Sequence, residues 1–172
     1  SIPTMLKIMI PRLIISIVVP LIMAEMIFWV RNPKTQGIYR VLILLPIVAP
    51  GVINLLIWRN LYEPDAGLIT AIARALNLVP QDAIVSWLND PSIVIFSIIF
   101  MGFPWIGGTS VLIYMSGLMN IPTEVLEASR LDGANMMQRI IKIDLPLLRG
   151  QIRYFLIFGL IGGLQDYGTQ LF

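Results

Sequence analysis

Residues 127–146 read EASRLDGANMMQRIIKIDLP. Glu127, Arg130, Asp132, Arg139, Lys142 and Asp144 crowd into this stretch, which closes on Leu145-Pro146. The chain around it is apolar, and no charged residue lies between Asp90 and Glu124. Hydrophobic residues make up 57% of the 172 and charged residues 13%. A soluble domain carries about a quarter charged residues, so this composition is that of an integral membrane protein. The charged stretch is then a water-facing device set into a membrane chain, and its purpose is the question.

Four segments have the roughly 20 mostly apolar residues that a bilayer core requires. They are 10–30, 41–60, 92–119 and 151–170. The backbone must satisfy its own hydrogen bonds in lipid, and no alternating barrel pattern is present, so the segments are read as helices. The fold class is all-α: a polytopic transmembrane bundle forming one domain over 1–172, with an inner loop at about 120–150. Lys and Arg give the orientation. Arg31, Lys34 and Arg40 follow the first span, and Arg130, Arg139, Lys142, Arg149 and Arg153 lie around the return to the fourth. Lys7, Arg12, Arg59 and Arg74 fall on the opposite side. The positive-inside rule therefore puts both basic segments in the cytoplasm. Residues 61–91 form the outer loop, with a turn at Glu63–Gly67 and a short surface helix over GLITAIARALNL. Asn89 or Asp90 can cap the third span. The chain begins at Ser1 without Met and stops inside an apolar segment, so a piece of a longer chain is expected.

The absence of cysteine and histidine removes disulfides, thiolate metal sites and the commonest general base. No GxxxxGK[ST] phosphate loop occurs. The chain is therefore not read as an ATPase, an enzyme or a metal protein, and it is not expected to bind a cofactor or nucleic acid.

Within the inner loop, Pro122 suits a first helical turn and Glu124 complements the dipole there. Gly133 can stop the helix in a left-handed conformation. A second amphipathic stretch runs from Ala134 to Ile143, and Pro146 is expected to break it and return the chain to the membrane. The product is a short helix–turn–helix tied to the spans on both sides. A re-entry loop must be polar in any case, but joining two helices needs only two to eight residues. About 30 patterned residues suggest a docking surface.

The spacing of Glu127-Ala128-Ser129, three residues, Gly133, nine residues, then Ile143-Asp144-Leu145-Pro146 resembles the EAA loop of ABC importer permeases. Ser129 stands for the second alanine, and Met136-Met137 stand where the family often has an aromatic nearby. Ile121-Pro122 and Asp132-Gly133-Ala134 extend the likeness. Arg40 to Pro46, Trp58, Gly67-Leu68, Trp87-Leu88 and Asp90-Pro91 resemble the carbohydrate-uptake, maltose-type branch. The resemblance implies a permease subunit of a prokaryotic cell-membrane importer for sugars or oligosaccharides. It would pair with a second permease, receive solute from an extracytoplasmic binding protein and be driven by separate ATP-binding cassette subunits that use the ATP. Glu127, Ala128, Ser129, Asp132, Gly133, Ala134, Leu145 and Pro146 would then form the ATPase-coupling element. A passive channel, or a scaffold whose inner loop binds another partner, is the alternative.

Other residues stand out inside the spans. Glu25 either reaches the inner interface or lines a pathway. Pro46, Pro50 and Gly51 can kink the second span, and GFPWIGG at 102–108 interrupts the third. Asn54, Gln165, Asp166 and Tyr167 offer the polar and aromatic groups a sugar path needs, or ties between helices. An intramembrane enzyme would need a carboxylate pair, and Glu25 and Asp166 are expected near opposite faces.

Overall fold

The computed structural model describes residues 2–48 and 51–165. Every regular element among them is helical. The chain contacts divide it into two compact units. Among the described residues, one comprises 2–12, 47–48 and 51–104; the other comprises Leu13–Pro46 and Trp105–Gln165.

Helix α1 runs Ile2–Phe28. It starts well before residue 10, because Pro3 suits a first turn and the long Lys7 and Arg12 side chains do not oppose helix formation. Leu6, Ile10, Ile14, Val18, Ile22 and Met26 form an exposed apolar stripe at four-residue spacing. Apolar side chains pointing outward along a 27-residue helix are what a lipid environment calls for. By length and composition, Pro3–Phe28 can cross a bilayer alone; Pro33–Val48 with Gly51–Leu61, and Met136–Leu147 with Arg149–Leu164, qualify as bent pairs.

Much of the first basic loop is helix. Asn32 caps α2 (Pro33–Leu44) by accepting the Lys34 N–H at 2.9 Å, and Pro33 occupies the first turn. Gln36 Nε2 donates back to the Ile27 carbonyl at 3.1 Å, which pins the reversal between α1 and α2. The helix passes into a 3-10 turn over Leu45–Val48, the region of Pro46. Pro50 lies outside the described residues, and α3 runs Gly51–Leu61.

The unit around α3 is organised by aromatic residues. Tyr62 donates its hydroxyl to the Ser97 carbonyl at 2.7 Å, and Trp87 Nε1 donates to Thr70 Oγ1 at 2.8 Å. Trp58 meets Tyr62 and Phe100. The outer-loop helix α4 covers Leu68–Ala75. It starts at Gly67, where a Cβ would fall 2.6 Å from the Leu61 carbonyl oxygen, so only glycine fits. Asp90 accepts the Ser92 N–H and hydroxyl ahead of α5 (Val94–Phe100). Residues 101–107 are non-helical and separate α5 from α6 (Gly108–Met119).

The other unit holds the main core. Ala24, Ile27, Val111, Tyr114, Met115, Leu118, Ile121 and Leu148 are buried together. They bring the C-terminal end of α1 against α6 and the start of α10 (Arg149–Leu164). Gly159 allows a close approach here, since a Cβ would run into Leu13 Cδ1. Tyr114 and Phe155 pack with ring centroids 4.9 Å apart. Arg40 Nη2 reaches Met119 Sδ at 3.2 Å, fixing α2 beside the end of α6.

Candidate functional site

The inner loop begins at Ile121, which is buried in the core and anchors it. Helix α7 spans Thr123–Leu131, with Glu124 in its first turn and Arg130 in its last, both favourable to the helix dipole. Leu126 packs on the core. Val125, Glu127, Ala128, Arg130 and Leu131 face outward, and Leu131 is 89% exposed. Ser129 is buried, and its hydroxyl donates to the Leu126 carbonyl at 2.7 Å. What Ser129 leaves outside is lack of bulk, not a free hydroxyl.

The turn after α7 is a Schellman motif. The Ala134 N–H donates to the Ser129 carbonyl and the Gly133 N–H to the Arg130 carbonyl, at 3.0 and 3.1 Å. Gly133 sits at φ +71°, the left-handed conformation that ends helices and that glycine adopts without penalty. The next helix is capped reciprocally. Asn135 Oδ1 accepts the Gln138 N–H at 2.8 Å, and Gln138 Oε1 accepts the Asn135 N–H at 2.9 Å. This capping box was legible as Asn-x-x-Gln and was missed in the sequence reading. Helix α8 covers Met136–Arg139, a π turn follows over Ile140–Asp144, and α9 covers Leu145–Leu147.

Pro146 therefore does not end the helical run. The chain absorbs it by widening to a π turn just before it, with the Leu145 N–H bonded to the Ile140 carbonyl. The change of direction, 65° between Met136–Leu147 and Arg149–Leu164, follows Leu147. Leu148, at this corner, is fully buried. Leu145 is half-buried, and Pro146 is exposed.

Between α7 and the second helical stretch lies an open hollow of about 540 Å³, lined by Ala128, Ser129, Asp132, Ala134, Gln138 and Lys142 among others. Ala128 and Ser129 on α7 and Ala134 in the turn contribute little bulk to its lining. Met137, Ile141 and Leu147 add exposed apolar surface to the loop.

On its other side the loop meets α1 through a buried polar joint. Arg139, 6% exposed, lies with its guanidinium carbon 4.7 Å from the Trp29 ring centroid and 5.3 Å from that of Phe28. Its Nε is 3.3 Å from Asp144 Oδ2, and Asp144 is fully buried. Burial pushes the Asp144 carboxyl above its ordinary range, with Arg139 pulling it back in part. Glu25, 5% exposed, has both carboxylate oxygens buried without a hydrogen-bond partner. It sits near the C-terminal end of α1. Residues this far apart in sequence give no local signal, and the joint was not foreseen.

The remaining candidates are dispersed. Asn54 is exposed on α3, and Gln165 is exposed at the C-cap of α10. Asp166 and Tyr167 lie outside the described residues. Among the described residues no group of three or more acidic, His or Cys side chains is arranged to hold a metal.

Apolar helices with outward-facing aliphatic side chains, interrupted by one rigid polar helix–turn–helix, define a polytopic membrane protein with a structured loop. The chain belongs to the family of binding-protein-dependent transport system inner membrane components, whose sequence pattern matches residues 16–172. It is 36% identical over 135 residues to the probable ABC transporter permease protein YesP of Bacillus subtilis, covering 78% of this chain and 42% of that one. It is 32% identical over 136 residues to the maltose/maltodextrin transport system permease protein MalF of Vibrio vulnificus, covering 78% of this chain and 25% of that one. The diacetylchitobiose uptake system permease protein NgcF of Streptomyces coelicolor is 28% identical over 138 residues, covering 80% of this chain and 39% of that one. The chain thus spans less than half the length of these relatives. The fold is shared with a bacterial alginate ABC transporter crystallised with an alginate-bound periplasmic protein: the TM-score is 0.80 at 22% identity, covering 95% of this chain and 56% of that one.

Proposed function

We propose that this chain is the membrane-embedded part of a permease subunit in an ATP-driven importer of the prokaryotic cell membrane, carrying sugars or oligosaccharides. The loop from Ile121 to Pro146 is its coupling element. It seats in a separate ATPase subunit and passes the motion of ATP-driven closure to the spans. A second permease completes the path, and an extracytoplasmic binding protein delivers the solute.

The observation that carries this reading is the build of the loop. A helix–turn–helix locked by a Schellman motif and a capping box holds Leu131 almost fully exposed beside a hollow walled by Ala128, Ser129 and Ala134. A mere connection needs neither the rigidity nor the exposed leucine. A docking surface with an apolar centre and a charged rim needs both. Glu127, Arg130 and Asp132 supply that rim, Gly133 sets the angle, and Leu145-Pro146 join the element to its span. The carbohydrate class is supported by relatives named for maltodextrin and diacetylchitobiose. Asn54, Gln165, Asp166 and Tyr167 are candidates for the solute path.

Co-purification tests the reading. The full-length protein is expected to bring down a nucleotide-binding subunit. Leu131→Glu, which puts a charge at the apolar centre, and Ala128→Trp, which fills the hollow, should release that subunit while membrane insertion stays unchanged. An ATPase that never accompanies the wild type, or that stays bound to both variants, refutes the proposal. Uptake of a panel of labelled saccharides by the reconstituted complex then identifies the solute class.

A further inference from the structure

The loop is joined by the chain to α6 on one side and α10 on the other. Its attachment to α1 is different, because Trp29 and Arg139 are more than a hundred residues apart in sequence. Any displacement of the loop reaches the first span only through non-covalent contacts. Leu126 and Ile143 supply apolar ones, packing on the core that includes Ala24 and Ile27. Apolar contacts tolerate sliding. The Arg139 joint does not, since a planar guanidinium seated over two rings and paired with a carboxylate has one position.

We propose that Arg139 is a positioning residue that clamps the loop to the inner end of α1, so that the first span moves with the loop as α6 and α10 do. Phe28 and Trp29 receive the guanidinium, and Asp144 pairs with it from the loop. A buried ion pair is often no more stabilising than an apolar plug of the same volume. What it supplies here is orientation: Asp144, in the same loop, holds the Arg139 guanidinium where it meets the Phe28 and Trp29 rings. Arg31 and Arg130 stand at the edge of this joint, lining with Trp29 and Arg139 an adjacent hollow of about 550 Å³.

The transport arm of the test rests on the coupling role proposed above; the distance arm does not. The 172 residues contain no cysteine, so spin labels can be placed cleanly at the exposed Met26 on α1 and Met137 on α8, in the full-length protein with any other cysteine replaced. The variants are Arg139→Met, and Arg139→Met with Asp144→Asn, the second also removing the Asp144 charge that the first leaves without its partner. The expected wild-type distance distribution is narrow. In the double variant it should broaden, and solute taken up per ATP hydrolysed by the reconstituted complex should fall at least about fivefold, with the ATPase still bound. An unchanged distribution in the double variant, or coupling equal to wild type, overturns the clamp. If the wild-type complex contains no ATPase, the functional reading fails, and the distance measurement still decides the clamp.

Discussion

Two glycines of the loop region isolate conformation from space. A Cβ added at Gly133 or at Gly150 meets nothing within 4 Å. They differ in backbone: Gly133 has φ +71°, whereas Gly150 lies in the first turn of α10. For an L-residue the left-handed conformation costs about 1–2 kcal/mol, less for Asn, and a β-branched residue fares worst. Gly133→Val therefore loosens the Schellman turn by about 1–2 kcal/mol or slightly more, Gly133→Ala by about 1, and Gly133→Asn by less. Gly150→Ala replaces a poor helix former with the best one, and gains up to about 1 kcal/mol. Against a typical stability of about 5–15 kcal/mol none of these unfolds the protein.

The direct readout is amide hydrogen exchange of Ala134, whose N–H closes the turn on the Ser129 carbonyl. One to two kcal/mol corresponds to exchange about 5–30-fold faster in the Val variant. The Asn variant should exchange close to wild type. ATP-driven uptake by the reconstituted complex should follow the same order, Gly and Asn above Ala, and Ala above Val. If Asn and Val are equally impaired, the position matters because a partner packs on it, and the conformational argument is wrong. If Val exchanges and transports as wild type does, the turn is not held by its hydrogen bonds.

Asn135→Ala deletes one half of the capping box and leaves Gln138 reaching for an unaided backbone; a loss of about 1 kcal/mol is expected, seen as faster exchange at the Gln138 amide with little change in Tm. Gly117 faces the start of α10, where a Cβ would fall 2.5 Å from Leu148 Cδ2 and 2.7 Å from Gln151 Nε2. Gly117→Ala should cost about 1–3 kcal/mol by overpacking, measured as a lowered Tm in detergent, and adding Gln151→Ala should recover part of it.

The apolar segments were readable because lipid imposes length and composition, although α1 begins eight residues before the apolar run read from the sequence. The loop was readable because Gly133 and Pro122 have few conformations to choose from. The start of α2 was obscured by charge. Arg31, Lys34 and Arg40 suggested a loop, while Asn32-Pro33 carried an ordinary helix-start signal in the same residues. Charge reports where a segment meets water, and an interfacial helix meets water as a loop does. Asn54 and Gln165 remained unassignable for a different reason: polarity inside a span marks a path and a helix tie equally well.

Hydropathy could not say which of the six charges in residues 127–146 face outward, and the reason lies in helix phase. Glu127, Arg130, Asp132 and Lys142 are exposed, whereas Arg139 and Asp144 are buried as a pair. In an α-helix, residues five apart are turned about 140° from one another and cannot pair. Bonding from residue i to i+5 stacks them instead. Pro146 has no N–H for the Lys142 carbonyl, and its ring crowds that carbonyl, so a regular α-helical turn is unfavourable at this point. The π turn over Ile140–Asp144 relieves the conflict and, in doing so, brings Asp144 under Arg139. The proline that closes the quoted stretch thus acts one turn upstream of itself. It converts an i, i+5 spacing that would point opposite ways into the ion pair that meets Phe28 and Trp29, while Glu127, Arg130, Asp132 and Lys142 stay exposed.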